Sequence, residues 1–228
     1  MKKTEICFII CSNNVDLCKK AQGYIRKLII PEGFNITCVV VNNANSITSA
    51  YNDAMNSSEA KFKVYLHQDT FIINVNFIND IIAVFNKYPQ IGMIGLAGAK
   101  KIASNGVWWK SVQKYGKVLE SSVTGRIELL SFDEVYNDFE NVEAIDGFIM
   151  ITQYDVRWRE ELFNGWHFYD ISQSIEFLRA GYEVCIPRQN SPWCIHACGA
   201  VNLEKSYEKY RNIFLKEYML NGVVYKDM

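Results

Sequence analysis

The chain has 228 residues, enough for one large domain or two small ones with a sizeable core, and we expect one domain. Hydrophobic residues make up 49% of the chain and charged residues 21%, as in ordinary globular proteins. The 24 basic and 25 acidic residues leave a formal net charge of -1, which excludes a broad basic surface for nucleic acid or anionic membrane, so any bound phosphate must be held locally.

The N-terminal apolar run and the cysteines indicate the compartment. The run after residue 5 is too short for the apolar core of a signal peptide or for a transmembrane helix. Seven cysteines, an odd number at irregular spacing, favour a reducing compartment over a disulfide framework. We therefore expect a cytoplasmic protein without a transmembrane segment, in which Cys7, Cys11 and Cys38 are small core residues.

Strands and helices alternate through the first half of the chain. Apolar runs and helical spacing predict strands over 5–11, 36–41, a run ending at Asp69, and 91–97, and helices over 15–30, 46–55 and 76–88. This alternation predicts a mostly parallel, doubly wound α/β sheet flanked by helices. The carboxyl ends of its strands meet at one edge, so the loops 12–14, 42–45 and 67–69 should line one crevice.

The pattern changes after residue 97. Residues 98–141 are rich in glycine, serine and aromatic residues and predict a hairpin-like insert that includes Trp108 and Trp109. The later predictions are a strand-like run over 143–152, a loop over 163–167, a helix ending at Gly181, strands over 182–186 and 193–197, and a helix over 203–220. The second half is therefore not another nucleotide-binding repeat.

The most informative polar group is His67-Gln68-Asp69, where an apolar strand ends. Side chains alternate along a strand, which places Tyr65, His67 and Asp69 on one side. Imidazole and carboxylate groups suit a divalent cation, and imidazole favours Mn²⁺ over Mg²⁺. The alternative is that Asp69 only caps the following segment.

Asp170 and Asp146 are two further carboxylates that could transfer a proton. Asp170 ends the segment 165–170, which contains three aromatic residues and a histidine. A loop that only connects two elements rarely has this composition. A carboxylate beside aromatic surface can take a proton from a sugar hydroxyl. The alternative is an N-cap for the helix whose apolar face begins at Ile171. Asp146 precedes Gly147 in a strand-like run, where a buried carboxylate needs a partner.

His196 lies between Cys194 and Cys198, and an extended chain would place all three on one face. A zinc site is one interpretation, but the set lacks the paired spacing of structural zinc sites. The sequence contains no GxGxxG, GxxxxGK[ST], HExxH or GxSxG motif. This excludes the usual dinucleotide, P-loop, metalloprotease and serine-hydrolase sites.

Over roughly residues 5–200 the chain resembles family 2 glycosyltransferases of the GT-A fold, in particular the bacterial glycosyltransferase-like subgroup associated with streptomycin and capsule biosynthesis. Segment 65–69, Tyr-Leu-His-Gln-Asp, looks like that subgroup's DxD motif. Segment 165–170, Gly-Trp-His-Phe-Tyr-Asp, looks like the acceptor-side motif that ends in the catalytic carboxylate. Asp146-Gly147-Phe148 resembles the preceding acceptor-site strand, and His196 falls where such enzymes often place a metal-binding histidine.

The sequence departs from the family pattern at three points. His67 replaces the first Asp of DxD, and Asn42-Asn43 stands where many relatives carry an acidic residue that contacts the base or ribose. The resemblance therefore does not identify the nucleotide. The QxxRW signature of processive polysaccharide synthases is missing, which favours a soluble enzyme that adds one sugar.

The resemblance implies one GT-A domain over 1–228, with a nucleotide-binding half (about 1–97), an acceptor-binding half (about 98–200) and a C-terminal helix (about 201–220). It implies inverting transfer of a sugar from a nucleotide diphosphate-sugar donor to a hydroxyl of a glycan or small-molecule acceptor, assisted by Mn²⁺ or Mg²⁺. The implied site residues are the base Asp170; the metal ligands Asp69 and His196; the nucleotide contacts Ser12, Asn13, Asn42, Asn43, His67 and Gln68; and the acceptor contacts Asp146, Gly147, Trp108, Trp109, Trp166 and His167.

Two other functions fit the same residues. The first is a non-catalytic sugar-nucleotide or glycan-binding module, which the altered DxD motif favours. The second is a nucleotidyltransferase with a similar sheet, and the missing glycine-rich, basic loop after the first strand argues against it.

Overall fold

The computed structural model describes residues 4–121, 125–198 and 205–220, which form two β-sheets with helices around them. The strands are β1 (Thr4–Ser12), β2 (Phe34–Asn42), β3 (Phe62–His67), β4 (Thr70–Ile72), β5 (Ile91–Gly95), β6 (Ala97–Ala99), β7 (Lys114–Ser121), β8 (Ile127–Ser131), β9 (Phe139–Asn141), β10 (Ala144–Ile145), β11 (Ile149–Thr152), β12 (Glu183–Pro187) and β13 (Cys194–His196). The helices are α1 (Val15–Ile25), α2 (Ile47–Asn56), α3 (Phe77–Lys87), α4 (Tyr169–Arg179) and α5 (Lys205–Phe214), with a 3₁₀ turn at Trp108–Lys110 and a π-helical turn at Leu215–Leu220. No helix in these ranges is long and apolar enough to cross a bilayer.

The larger sheet has the strand order β2-β1-β3-β11-β5-β12-β9. β2, β1 and β3 pair in parallel, as do β5 and β12, whereas β11 runs antiparallel between β3 and β5. Along β1, Ile6, Phe8 and Ile10 join the core that contains α1 and α3, while Cys7 and Ile9 join the core that contains α2. The α/β class with a central, mostly parallel sheet is thus confirmed: five of the seven strands run in one direction, and only β11 and the edge strand β9 run against them.

The smaller sheet has the order β10-β6-β7-β13-β4, and β8 pairs with β7 as an antiparallel hairpin. The chain passes from the larger to the smaller sheet immediately after β3, through the two-residue turn Gln68-Asp69 into β4. β4 then pairs with β13, so that Thr70 lies opposite His196. The junction between the two sheets therefore brings residues 67–69 beside residue 196.

Several predicted details differ from the structure. α1 ends at Ile25 rather than at residue 30, because the next backbone hydrogen bonds close tighter, 3₁₀-type turns. Cys38 is exposed rather than in the core, since it lies on the outermost strand, and all seven cysteines are free thiols. The run 143–152 is split into β10 and β11, Trp108 and Trp109 lie outside the hairpin, and the first two residues of the helix predicted over 203–220 fall outside the described ranges.

Helix α2 is tied to the segment that leads into α4. Asn52 Nδ2 donates to Trp158 O (3.0 Å) and Trp158 N donates to Asn52 Oδ1 (2.9 Å), and both residues are buried. Thr48 Oγ1 donates to Phe163 O (2.7 Å), and the first backbone N–H of α2 donates to Gly165 O (3.3 Å). The segment 158–165 is therefore held to one rigid helix.

Replacing Asn52 with alanine is expected to lower the free energy of unfolding by roughly 2–6 kcal/mol, because two buried backbone groups of Trp158 lose their partners at about 1–3 kcal/mol each. Asn56→Ala, at an exposed position of the same helix, is the matched control and should change stability by less than about 0.5 kcal/mol. Urea unfolding measures both variants. Equal losses would contradict the role given to Asn52.

Candidate functional site

Gln68 joins the ends of β1 and β3 at the carboxyl edge of the larger sheet. Its Oε1 accepts hydrogen bonds from Ser12 Oγ (2.8 Å) and from the backbone N–H groups of Asn13 (3.0 Å) and Asn14 (2.8 Å). Its Nε2 donates to Asn13 Oδ1 (2.8 Å). At the end of β2, Asn43 N donates to Ser12 O (3.0 Å). The loops after β1, β2 and β3 therefore meet, as the predicted strand order requires.

A cavity of about 330 Å³, named the Gln68 cavity, opens at this edge. Its lining residues are Cys11, Ser12, Asn13, Ile47, His67, Gln68, Asp69 and Trp166. Asn42 and Asn43 are exposed and do not belong to this lining. The structure therefore gathers most of the predicted nucleotide contacts in one cavity and leaves this pair outside it.

Asp69 lies between two histidines and has an unpaired oxygen. Its Oδ1 is 3.9 Å from His67 Nδ1 and 3.7 Å from His196 Nε2, yet it is buried without a hydrogen-bond partner. Burial, then the nearby His67, lowers the pKa of His196 to about 4, so this ring is neutral at pH 7. An orphaned carboxylate oxygen beside neutral imidazole fits a divalent cation, which would satisfy it. We name His67, Asp69 and His196 the HDH cluster.

The ring of His67 is fixed by Tyr169. His67 Nε2 lies 2.5 Å from the Tyr169 hydroxyl, which itself donates to Gly147 O (3.3 Å). In the tautomer that carries its proton on Nε2, His67 donates to the Tyr169 oxygen while the hydroxyl donates to Gly147 O. The lone pair on Nδ1 then faces Asp69, the arrangement in which metal-binding histidines are held. His67, assigned above to the nucleotide, therefore also belongs to the HDH cluster.

The capping alternatives for Asp69 and Asp170 are both wrong. Asp69 occupies the turn between two strands, and no helix follows it. Asp170 is the second residue of α4, and the N-cap position is taken by Phe168 in the left-handed conformation (φ 64°). Gly147 N donates to Asp170 Oδ2 (3.1 Å). Burial raises the pKa of Asp170 to about 6 despite this and other backbone hydrogen bonds.

Asp146, the second carboxylate of the site, immediately precedes Gly147 in the chain. Its Oδ1 accepts from Phe148 N (3.0 Å). Burial, followed by the negative charge of Asp170, raises the pKa of Asp146 to about 7. Two neighbouring carboxylates with raised pKa values are typical of sites that accept and hold protons.

A second cavity, of about 320 Å³, contains both carboxylates and is named the Asp170 cavity. It is lined by every residue predicted to serve as base or acceptor contact, namely Trp108, Trp109, Asp146, Gly147, Trp166, His167 and Asp170. The HDH cluster also lines it. The Asp170 and Gln68 cavities thus share His67, Asp69 and Trp166.

The aromatic residues of the Asp170 cavity differ in their exposure. Trp166 is 50% exposed and Trp109 is 40% exposed, so each offers a face for stacking, whereas Trp108 is only 5% exposed. Tyr207, from α5, also lines the cavity and packs against His167 with ring centroids 5.5 Å apart. No motif in the sequence indicates Tyr207, because only the packing of α5 brings it to the site.

The zinc interpretation of 194–198 does not match the structure. Cys194 is fully buried in the hydrophobic core, whereas His196 faces Asp69. Within the described ranges, the groups with metal-ligand spacing are the HDH cluster and a set formed by Glu120, His196 and Cys198. Cys194 belongs to neither.

A larger groove, of about 540 Å³, lies between α3 and the end of β12. Lys87 in this groove is paired with Asp138 (2.5 Å), which also accepts from Tyr88 (2.7 Å). Its charged groups neutralise one another, so we place the functional site at the HDH cluster instead.

The chain belongs to the glycosyltransferase-like family, whose model matches residues 7–218. Among curated proteins, none matches the sequence.

Solved structures share the fold. S. aureus TarS matches with a TM-score of 0.56 at 13% identity, over 93% of this chain and 39% of TarS. TarS 1-349 in complex with UDP gives 0.56 at 12% identity, over 93% of this chain and 65% of that one. The mannosyltransferase PcManGT from Pyrobaculum calidifontis, in complex with GDP-Man and Mn²⁺, gives 0.54 at 10% identity, over 86% and 57%. The fold is that of the GT-A glycosyltransferases, and this chain spans well under half the length of TarS.

The raised pKa values of Asp146 and Asp170 are expected to lower stability as the pH rises from about 4 to about 7. Both carboxyl groups keep their protons in the folded protein but lose them near 3.8 when it unfolds, so the folded state binds more protons in this range. The neutral variants Asp146→Asn and Asp170→Asn should therefore gain stability relative to wild type as the pH rises. Chemical unfolding at several pH values measures this difference.

Asp53→Asn, at an exposed position of α2, is the control and should follow the wild-type profile. The depressed pKa of His196 acts in the opposite direction but is common to all these proteins, so it cancels in the difference. Parallel profiles for wild type and both site variants would contradict the assignment.

Proposed function

We propose that this protein is an inverting glycosyltransferase that moves a sugar from a nucleotide diphosphate-sugar to an acceptor hydroxyl. The observation that carries the proposal is the meeting of the Gln68 and Asp170 cavities at the HDH cluster. A donor in the first cavity would place its diphosphate beside Asp69, and an acceptor in the second would place a hydroxyl beside Asp170. Family membership supports this, as do neighbours solved with UDP, UDP-GlcNAc and GDP-Man.

The donor side is assigned to the end of β1 and to Gln68. Ser12 and Asn13 line the cavity where the hydrogen bonds of Gln68 hold the loop rigid, so the nucleoside would meet a preformed surface. Asn42 and Asn43 are proposed as outer contacts to the base, because they are exposed and linked to Ser12 by one backbone hydrogen bond.

His67, Asp69 and His196 would hold Mn²⁺ or Mg²⁺, and two imidazoles favour Mn²⁺. When bound, the cation would neutralise charge on the departing diphosphate. Two features of the protein support this role of the cation. Asp69 Oδ1 has no hydrogen-bond partner, and His67 Nδ1 lies 3.9 Å from it.

Asp170 is proposed as the base. It would take the proton of the acceptor hydroxyl while the acceptor oxygen bonds to the anomeric carbon and the bond from that carbon to the diphosphate oxygen breaks. A pKa of about 6 leaves Asp170 mostly ionised at pH 7 while making it a stronger base than an ordinary carboxylate. Asp146, beside Gly147, would bind the acceptor and is the second candidate base.

A non-catalytic binding module remains the second candidate, because His67 stands in the first position of the DxD-like segment. Such a protein would bind the nucleotide-sugar without releasing nucleoside diphosphate. The subgroup associated with streptomycin and capsule biosynthesis stays a prediction from the motifs.

Mn²⁺ is expected to tighten the binding of UDP or GDP by at least about tenfold in wild type but by less than about twofold in Asp69→Asn, because the amide oxygen is a weaker ligand than the carboxylate. Calorimetric titrations with Mn²⁺ and with EDTA measure this gain. Asp53→Asn should behave as wild type. Equal affinity with metal and with chelator in wild type would overturn the metal assignment.

Asp170→Asn is expected to lower turnover by about 10²–10⁴-fold, because the amide cannot accept the acceptor's proton at neutral pH. Nucleotide affinity should remain close to wild type, and the melting temperature should be no lower than that of wild type. Release of nucleoside diphosphate from a panel of UDP- and GDP-sugars, with and without acceptor, provides the assay. Wild-type turnover in this variant would leave Asp146 as the base.

A further inference from the structure

A third cavity, of about 400 Å³, lies between the β7–β8 hairpin and the junction of the two sheets, and is named the Phe132 cavity. Most of its wall is apolar and is formed by Ala97, Trp108, Val118, Leu130, Phe132 and Phe148. Its volume falls within the range of small-molecule binding sites, so a group of several carbon atoms fits inside it.

The Phe132 cavity adjoins the Asp170 cavity. The residues that line both are Trp108, Trp109, Asp146, His196 and Cys198. A molecule with a hydroxyl at the two carboxylates therefore has the Phe132 cavity as its neighbour on the hairpin side. The Gln68 cavity shares only His67, Asp69 and Trp166 with the Asp170 cavity and none of the apolar wall, so the donor is not the occupant.

The charges around the Phe132 cavity decide the chemistry of its occupant. Of the described residues that line it, Glu120 and Asp146 are acidic, and neither lysine nor arginine is among them. A phosphate or carboxylate group inside the cavity would meet the carboxyl groups of Glu120 and Asp146 and no basic side chain of its lining. An uncharged apolar group would instead bury surface against Leu130, Phe132 and Phe148.

We propose that the Phe132 cavity receives an uncharged alkyl or aryl group that the acceptor carries beside its reacting hydroxyl. The acceptor would then be an apolar glycoside or alcohol rather than a purely polar sugar. This inference rests on the proposed function, because it takes the Asp170 cavity as the acceptor site.

The test uses octyl and methyl β-D-glucopyranoside, which differ only in the alkyl chain, and 7-carboxyheptyl β-D-glucopyranoside, in which the end of the same chain carries a carboxylate. Each is titrated calorimetrically into the whole protein with UDP or GDP and Mn²⁺, at octyl concentrations below micelle formation. Each buried methylene strengthens binding about fourfold, so the octyl glycoside should bind at least about tenfold more tightly than the methyl glycoside. The carboxylate-ended glycoside should bind more weakly than octyl glucoside, because its charge would enter the apolar cavity.

Leu130 and Leu129 provide a matched pair of positions on β8. Leu130 lines the cavity, whereas Leu129 is 58% exposed. Leu130→Trp should fill the cavity and reduce the octyl preference to within about twofold, and Leu130→Asn should weaken it by making the wall polar. Leu129→Trp should retain the preference. Melting temperatures establish that each variant is folded.

The outcomes separate this inference from the proposed function. Nucleotide binding without an octyl preference, or a preference that both Leu130 variants retain, would overturn the acceptor assignment alone. Carboxylate-ended glycoside binding as tightly as octyl glucoside would overturn the uncharged character of the occupant. Absence of nucleotide binding would overturn the proposed function and, with it, the acceptor assignment.

Discussion

The site depends on the close approach of two side chains to Gly147. A β-carbon at this position would lie 2.2 Å from the Tyr169 hydroxyl oxygen and 3.0 Å from Asp170 Cβ, so no larger residue fits without movement. This closeness lets the backbone of Gly147 accept from Tyr169 and donate to Asp170. Through Tyr169 it orients His67, and through Asp170 it positions the proposed base. Gly147 therefore fixes the position of Asp170 relative to His67 of the HDH cluster.

The antiparallel strand β11 brings Gly147 to the site. Its insertion between β3 and β5 places Phe148, just before the strand, opposite the end of β3. Phe148 O accepts from His67 N (3.0 Å) and from Thr70 Oγ1 (3.0 Å), and the ring of Phe148 stacks on His196 at 5.1 Å. A wholly parallel sheet would not bring the 146–148 turn to this edge. The antiparallel strand β11 is thus the feature that assembles the site.

Local sequence pattern predicts the parts of this arrangement that local geometry determines. Alternating apolar runs and helical spacing give the α/β class. Strand alternation predicts His67 and Asp69 on one side; they do lie 3.9 Å apart, although β3 ends at His67 and Asp69 belongs to the turn that follows. His196 reaches Asp69 only through the pairing of β13 with β4, and Tyr207 only through the packing of α5. Phe168 takes a left-handed conformation that its residue type disfavours, with its ring packed against Tyr207 at 5.0 Å. Such long-range contacts override local preference, so residue patterns alone cannot predict them.

The bonds between α2 and the segment 158–165 bear on how substrates enter. Swinging this segment outward as a lid would break the paired hydrogen bonds of Asn52 with Trp158 and the bond from Thr48 to Phe163, and would expose Phe163, which is fully buried. The backbone of segment 158–165, beside the Asp170 cavity, is therefore held in place by these contacts. Trp166 lies just beyond this segment and is half exposed, so its indole, on the border of both cavities, can rotate without breaking these hydrogen bonds.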